Sequence, residues 1–146
     1  MERGNWMLKA SNAIVGFLVD KVGLNLQGAE VLEVRGRKTG EPHRVPVNPV
    51  TVDGVRYLFA PRGETAWVKN IRVSGEGTLH KGRRSTRIRV EEIADADKPP
   101  IIRAYLDRWY WEVGKLVGVP KDATDAELRE IAPNHPVFRI VSSGQS

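Results

Sequence analysis

The dipeptide Asp53-Gly54 stands between two runs of alternating apolar residues, and no other stretch limits the fold so much. Asp-Gly supplies the positive φ angles that a two-residue hairpin turn needs. Before it, Arg44 to Val52 reads as one strand. After it, Val55 to Ala60 reads as another, with Val55, Tyr57 and Phe59 alternating. The first run carries a change of phase, since Val45 and Val47 set one phase while Val50 and Val52 set the opposite one. The change falls at Asn48-Pro49. Proline cannot donate to a ladder, so the chain must bulge there or lie at a sheet edge.

The remaining elements extend that hairpin. Val31 to Arg35 is a strand, and Thr78–Lys81 with Arg83–Ile93 forms a second hairpin around Gly82. Thr65 to Val73 reads as a short helix with Thr65 as candidate cap, stopped by Gly75-Glu76-Gly77. Pro100 suits the first turn of a long helix carrying the stripe Ile102, Tyr105, Leu106, Trp109, Val113 and Leu116. Thr124-x-x-Glu127 is a capping box for a last short helix that Pro133 ends, and Val137 to Ser142 is a final strand. Residues 5–22 read as an amphipathic helix, with Trp6, Ala10, Ile14, Phe17 and Leu18 at helical spacing. That helix either packs on the core or lies over a pocket or a membrane surface. Hairpins predominate and no βαβ unit is apparent. The expected fold class is α+β: an antiparallel barrel of about six strands, with an N-terminal helix, a short embedded helix and a long helix packed outside. Residues 1–146 are expected to form one domain, residues 1–28 being the N-terminal helix and linker.

Composition excludes several chemistries. The chain has no cysteine, which removes disulfides, thiolate catalysis and cysteine-ligated metals. Its three histidines, His43, His80 and His135, are scattered, so no metal centre is expected. There is no nucleophile elbow, P-loop or dinucleotide fingerprint. The net charge of +5 favours anionic partners. Residues 6–24 are interrupted by Lys9, Asp20 and Lys21, too polar for a span of about 20 apolar residues, and no secretory signal is read. The expected location is cytoplasmic, peripheral to the inner membrane face if the N-terminal helix holds it there.

Two basic turns carry the candidate chemistry. The first holds Arg35, Arg37, Lys38, His43 and Arg44, with the Thr39 hydroxyl and with Gly36 and Gly40 permitting close backbone approach. An ordinary polar turn would look similar, since Lys-Thr-Gly-Glu is good turn chemistry. The second, Ala60-Pro61-Arg62-Gly63, leads into a helix whose positive end favours an anion, and Trp67 and Asn70 can share one face of that helix. Tyr105, Trp109 and Tyr110, with Trp6, either roof an aromatic pocket or belong to the core. A chain without nucleophile, metal or acid–base pair suits work done by a bound cofactor.

These residues resemble the deazaflavin-dependent nitroreductase family, whose members use the reduced deazaflavin coenzyme F420. The resemblance runs from about Val31 to Ile140. It rests on Gly36-Arg37-Lys38-Thr39-Gly40-Glu41-Pro42, Pro46-Val47, Ala60-Pro61-Arg62-Gly63-Glu64, Trp67-Val68-Lys69-Asn70, Ala104-Tyr105-Leu106 and His135-Pro136-Val137-Phe138-Arg139. It implies a split β-barrel related to flavin-mononucleotide oxidases, and F420 rather than FMN as cofactor. Carried over by position, Arg37, Lys38 and Thr39 would meet the phosphate and acidic tail. Pro46, Val47 and Asn48 would border the ring, Ala60, Pro61, Arg62 and Gly63 would grip ring and tail, and Ala66, Trp67 and Asn70 would complete the groove. Where members commonly have arginine after the proline, this chain has His43 and then Arg44; either can make that tail contact. The implied activity is hydride transfer from F420H2 to an electron-poor planar acceptor: an enone or unsaturated lactone, a quinone or a nitroaromatic. Tyr105 and Tyr110 are candidate proton donors, and Trp6 and Trp109 candidate pocket walls. The alternatives are a non-catalytic carrier of F420 or another anionic lipophile, and an FMN oxidase. A nucleic-acid-binding barrel ranks last, because Arg83, Arg84, Arg87 and Arg89 lack interleaved stacking aromatics. A small-molecule acceptor is the expected partner, with the protein a monomer or weak homodimer.

Overall fold

The computed structural model describes residues 30–144. The expected helix at 5–22, and Trp6 with it, lie outside the described residues. Seven strands are present among the described residues: β1 Glu30–Arg35, β2 Pro42–Val47, β3 Val50–Val52, β4 Val55–Phe59, β5 Glu76–Lys81, β6 Arg84–Glu92 and β7 Val137–Gly144. Helices α1 (Ala66–Ser74), α2 (Pro99–Val117) and α3 (Asp125–Ile131) accompany them. Every pairing is antiparallel, in the order β2-β1-β5-β6-β7-β4-β3.

That order explains the phase change at Asn48-Pro49. The run Arg44 to Val52 is two strands, β2 and β3, and they occupy opposite edges of the sheet. From Val47 to Val50 the chain can reach at most about 11 Å, so the sheet must curl until its edges nearly meet. The two edges are not neighbours in a ladder. The result is a split barrel with Pro49 at its seam, where a missing N–H costs nothing. Val47 faces the barrel interior with Leu32, Val34, Leu58, Leu79, Ile88 and Phe138. Val50 faces outward, into a second core with Phe59, Ile102, Tyr105, Leu106, Trp109 and Val137. Each phase thus serves its own core.

The Asp53-Gly54 turn has φ of 52° and 80°, both positive as a type I′ hairpin requires. Helix α1 caps the interior with Val68 and Ile71, both fully buried, and ends on Gly75 at φ 72°. Helix α2 begins with Pro99 and Pro100 in its first turn and packs along β3 and β4. Its stripe departs from expectation at one end: Leu116 is exposed and Val117 takes the core position. Trp111 is 84% exposed, with the Lys121 ammonium 6.0 Å from its ring centroid. The capping box of α3 is formed, Thr124 accepting from the Glu127 N–H at 3.2 Å while the Glu127 side chain accepts from the Thr124 N–H at 2.8 Å. Among the described residues no helix is long and apolar enough to cross a membrane.

Candidate functional site

The β1–β2 turn is tied from within. The Gly36 N–H donates to the Glu41 carbonyl at 2.8 Å, the Gly40 N–H to Gly36 at 2.9 Å, and the Arg35 guanidinium to the Gly40 carbonyl at 2.8 Å. Thr39 spends its hydroxyl on the same turn, accepting from the Glu41 N–H at 3.2 Å. A second set of bonds joins the turn to α1. Asn70 is 5% exposed, and its Oδ1 accepts from both the backbone N–H of Arg37 at 3.1 Å and the Arg37 guanidinium at 2.7 Å. One buried amide therefore fixes the basic turn against the helix.

Between turn and helix lies a groove of about 590 Å³, lined by Val34, Gly36, Arg37, Lys38, Thr39, Glu41, His43, Arg44, Val45, Thr65, Ala66, Trp67 and Asn70. Its charge is mainly cationic, from Arg37, Lys38 and Arg44, with Glu41 the one acid among the described residues of the lining. Lys38 is exposed and has no acidic partner among the described residues. His43 packs against Gly36 so closely that a β-carbon there would lie 2.8 Å from its Nε2, which gives that glycine a packing reason. The N-terminus of α1 also opens here. Thr65 occupies the cap position in extended conformation but makes no side-chain cap bond, and the first turn carries no acid. The Thr65 hydroxyl oxygen is buried and has no hydrogen-bond partner among the described residues. A helix N-terminus without a side-chain cap, a buried hydroxyl, and Arg37 and Lys38, neither of them paired with an acid among the described residues, together make a site for an anion or an electron-rich ring edge. Trp67, half buried and 5.8 Å from the Phe138 ring, supplies a flat wall.

Of the residues expected from sequence, Arg37, Lys38, Thr39, His43, Arg44, Ala66, Trp67 and Asn70 meet in this groove. Pro46, Val47, Asn48, Ala60, Pro61, Arg62 and Gly63 do not line it. Of β2, the groove takes only residues up to Val45, and Val47 and Ala60 are buried in the barrel interior. The second turn is locked elsewhere. His135 Nδ1 lies 3.1 Å from the Ala60 carbonyl, the Ala60 N–H donates to Pro136 at 3.0 Å, and a β-carbon on Gly63 would meet the Asn134 carbonyl at 3.1 Å. Tyr105 and Trp109 do not line this groove either. Tyr105 is 2% exposed with its ring 4.4 Å from Phe59, and both residues belong to the core under α2. Tyr110 packs beside that core, 5.5 Å from Trp111. The sequence reading assigned no role in the site to Val34, Glu41, Val45 or Thr65. Only Thr65 carried a signal, as the candidate cap.

The sequence matches the F420H(2)-dependent quinone reductase family over residues 6–123. The chain belongs to that family. It is accordingly an F420H2-dependent oxidoreductase. No curated protein sequence matches it. Among solved structures it is similar to an F420-H2 dependent reductase, FDR-A, with a TM-score of 0.55 at 15% identity over 79% of this chain and 95% of that one. The protein Atu2129 from Agrobacterium tumefaciens is similar with a TM-score of 0.56 at 17% identity over 80% of this chain, which spans only 49% of Atu2129. A FAD-binding protein from Mesorhizobium loti gives a TM-score of 0.50 at 17% identity over 90% and 89%. At such identities these structures establish the fold alone, a split barrel.

Proposed function

We propose that the groove binds F420H2 and that the protein presents it to an electron-poor planar acceptor, a quinone foremost, with activated C=C bonds and nitroaromatics as further classes. The observation that carries this reading is the single groove joining the basic turn to Trp67 and the uncapped start of α1. The residues fit the coenzyme. A volume of about 590 Å³ lies within the range of cofactor sites, and the orphan Thr65 hydroxyl awaits a polar partner. Arg37 and Lys38 would hold phosphate and tail, with Arg44 and His43 at the rim. Val34, Val45 and Trp67 would sandwich the flat ring, and Thr65 would bond its polar edge. When bound, the reduced coenzyme supplies the hydride. The chain's own task is to fix the ring so that an acceptor carbon can approach to about 3–3.5 Å. With Tyr105 enclosed in the core and neither Tyr105 nor Tyr110 lining the groove, the accompanying proton comes from solvent.

The test is reoxidation of F420H2 in the presence of menadione, a coumarin-type enone and a nitroaromatic, together with coenzyme titration followed by tryptophan fluorescence. Turnover with at least one acceptor is expected. Removing one charge-assisted contact in Lys38→Ala should weaken binding roughly ten- to a hundredfold. Tight binding without turnover on any acceptor would instead mark a carrier. No binding at all would sink the reading.

A further inference from the structure

The outer face of the sheet carries a hydrogen-bonded row that ends in the groove. Registers place Arg44 of β2 directly opposite Glu33 of β1, and His80 of β5 opposite Ser85 of β6. Glu33 Oε1 accepts from Arg44 Nε at 2.9 Å and lies 3.1 Å from His80 Nε2, while His80 Nδ1 lies 2.7 Å from Ser85 Oγ. With the His80 Nε2–H donated to Glu33, Nδ1 accepts the Ser85 hydroxyl, and the whole row is satisfied. Arg44 faces outward in this register, yet β2 is an edge strand, so its side chain still lines the groove.

We propose that Glu33 is a positioning residue that presents Arg44 to the outer anion of the groove's ligand, a phosphate or carboxylate, and so sets the preference for a tailed coenzyme over a bare deazaflavin ring. The proposal rests on the functional reading above. Its physical basis is preorganisation. The bond at Nε fixes the plane of the guanidinium and leaves both terminal nitrogens for one bidentate contact. Arg44 and Glu33 are each about two-thirds buried, at 33% and 28% side-chain exposure, so the pair holds its geometry better than a surface pair would. His80 and Ser85 in turn keep the carboxylate in place. An arginine without that support loses rotamer freedom on binding.

Charge alone predicts the opposite outcome. Replacing Glu33 removes a negative charge beside the groove and should then tighten an anion. The sign of the change therefore decides between the two accounts. By calorimetric titration, Glu33→Gln should weaken F420 binding roughly three- to tenfold and leave the deazaflavin without phosphate and tail unaffected. In an Arg44→Gln background the same substitution should have no further effect. Unchanged or tighter binding of F420 by Glu33→Gln would overturn the proposal, as would an equal loss for the tailless compound. Inorganic pyrophosphate, titrated in parallel, separates the two levels of inference. If the wild-type protein takes pyrophosphate with the same dependence on Glu33 but refuses F420, the positioning role stands and the coenzyme reading falls. If F420 binds and Glu33→Gln changes nothing, the positioning role falls alone. If neither compound binds, both fall.

Discussion

Asn70 is the side chain on which the shape of the groove depends. Its Oδ1 receives two bonds from Arg37, one from backbone and one from guanidinium, and it does so at 5% exposure. Asn70→Ala should cost about 1–3 kcal/mol, because the Arg37 N–H is left without its partner in a half-enclosed place. It should also weaken the coenzyme, since the turn is no longer held against α1. Asn70→Asp separates the two effects. The acceptor is retained, so denaturant midpoints should stay within about 1 kcal/mol of wild type, but a carboxylate in a groove built for anions should reduce affinity. Wild-type affinity in both variants would show that Asn70 has no influence beyond folding. The sequence made the basic residues themselves legible, since Arg37, Lys38, His43 and Arg44 lie within one turn. It could not show that Arg37 pairs with Asn70, 33 positions away, or that His80 meets Glu33 across 47. The first depends on how α1 docks against the β1–β2 turn and the second on β1 and β5 being neighbours in the sheet, and neither is a local property of the chain.

At the scale of elements, α2 separates stability from function. The sequence presented Tyr105 and Trp109 as either core or pocket wall, because an apolar stripe at helical spacing looks the same in both. The structure puts them in the core that Val50, Phe59 and Val137 form outside the barrel. Leu106→Ala, at a fully buried position of that core, should destabilise the protein by about 2–5 kcal/mol while leaving coenzyme affinity of the folded fraction unchanged. Tyr105→Phe should keep turnover within about twofold of wild type, equivalent to under about 0.5 kcal/mol in barrier height. A large loss of turnover with normal stability would return Tyr105 to the mechanism. Strand identity was legible wherever alternation was clean, as in Arg84–Glu92. It was least legible at Asn48-Pro49, where one apparent strand is two. The phase change was visible there, but its meaning is a property of the closed sheet: Val47 and Val50 serve cores on opposite faces. Ala60 is likewise buried in the interior core and does not line the groove.

At the scale of the whole molecule, one arginine joins the second turn, α1 and β6. Arg72 donates through Nε and Nη2 to Glu92 at 2.8 and 2.7 Å, and through Nη1 and Nη2 to Glu64 at 2.6 and 2.8 Å. The Arg72 hydrogen bonds hold the Glu64 carboxyl below the usual carboxylate range, with Lys69 and Lys98 adding smaller attractions. Glu92 and Glu64 raise the Arg72 guanidinium above its ordinary value, which leaves it charged throughout. A carboxyl whose folded value is depressed contributes stability that is fully present above its unfolded value, about 4.3, and that is lost as pH falls through the lower folded value. The window is therefore acidic, below about pH 4.3, and neutral pH lies outside it. The side chains are 35% and 51% exposed, so solvent screening limits the effect to about 1 kcal/mol or less. Acidification also adds to a net charge of +5 and so to self-repulsion, a general penalty that would mask so small a term. Comparison with Glu64→Gln largely removes that penalty, because it acts on both proteins. The stability advantage of wild type over Glu64→Gln, from urea midpoints, should be constant from pH 7 to 5 and shrink as pH drops below about 4. It should also shrink in high salt at neutral pH. An advantage that stays level down to pH 3 would mean that the ion pairs at Arg72 do not hold the second turn to the barrel, and that the contacts of Ala60 and Gly63 with the 134–136 segment do so alone.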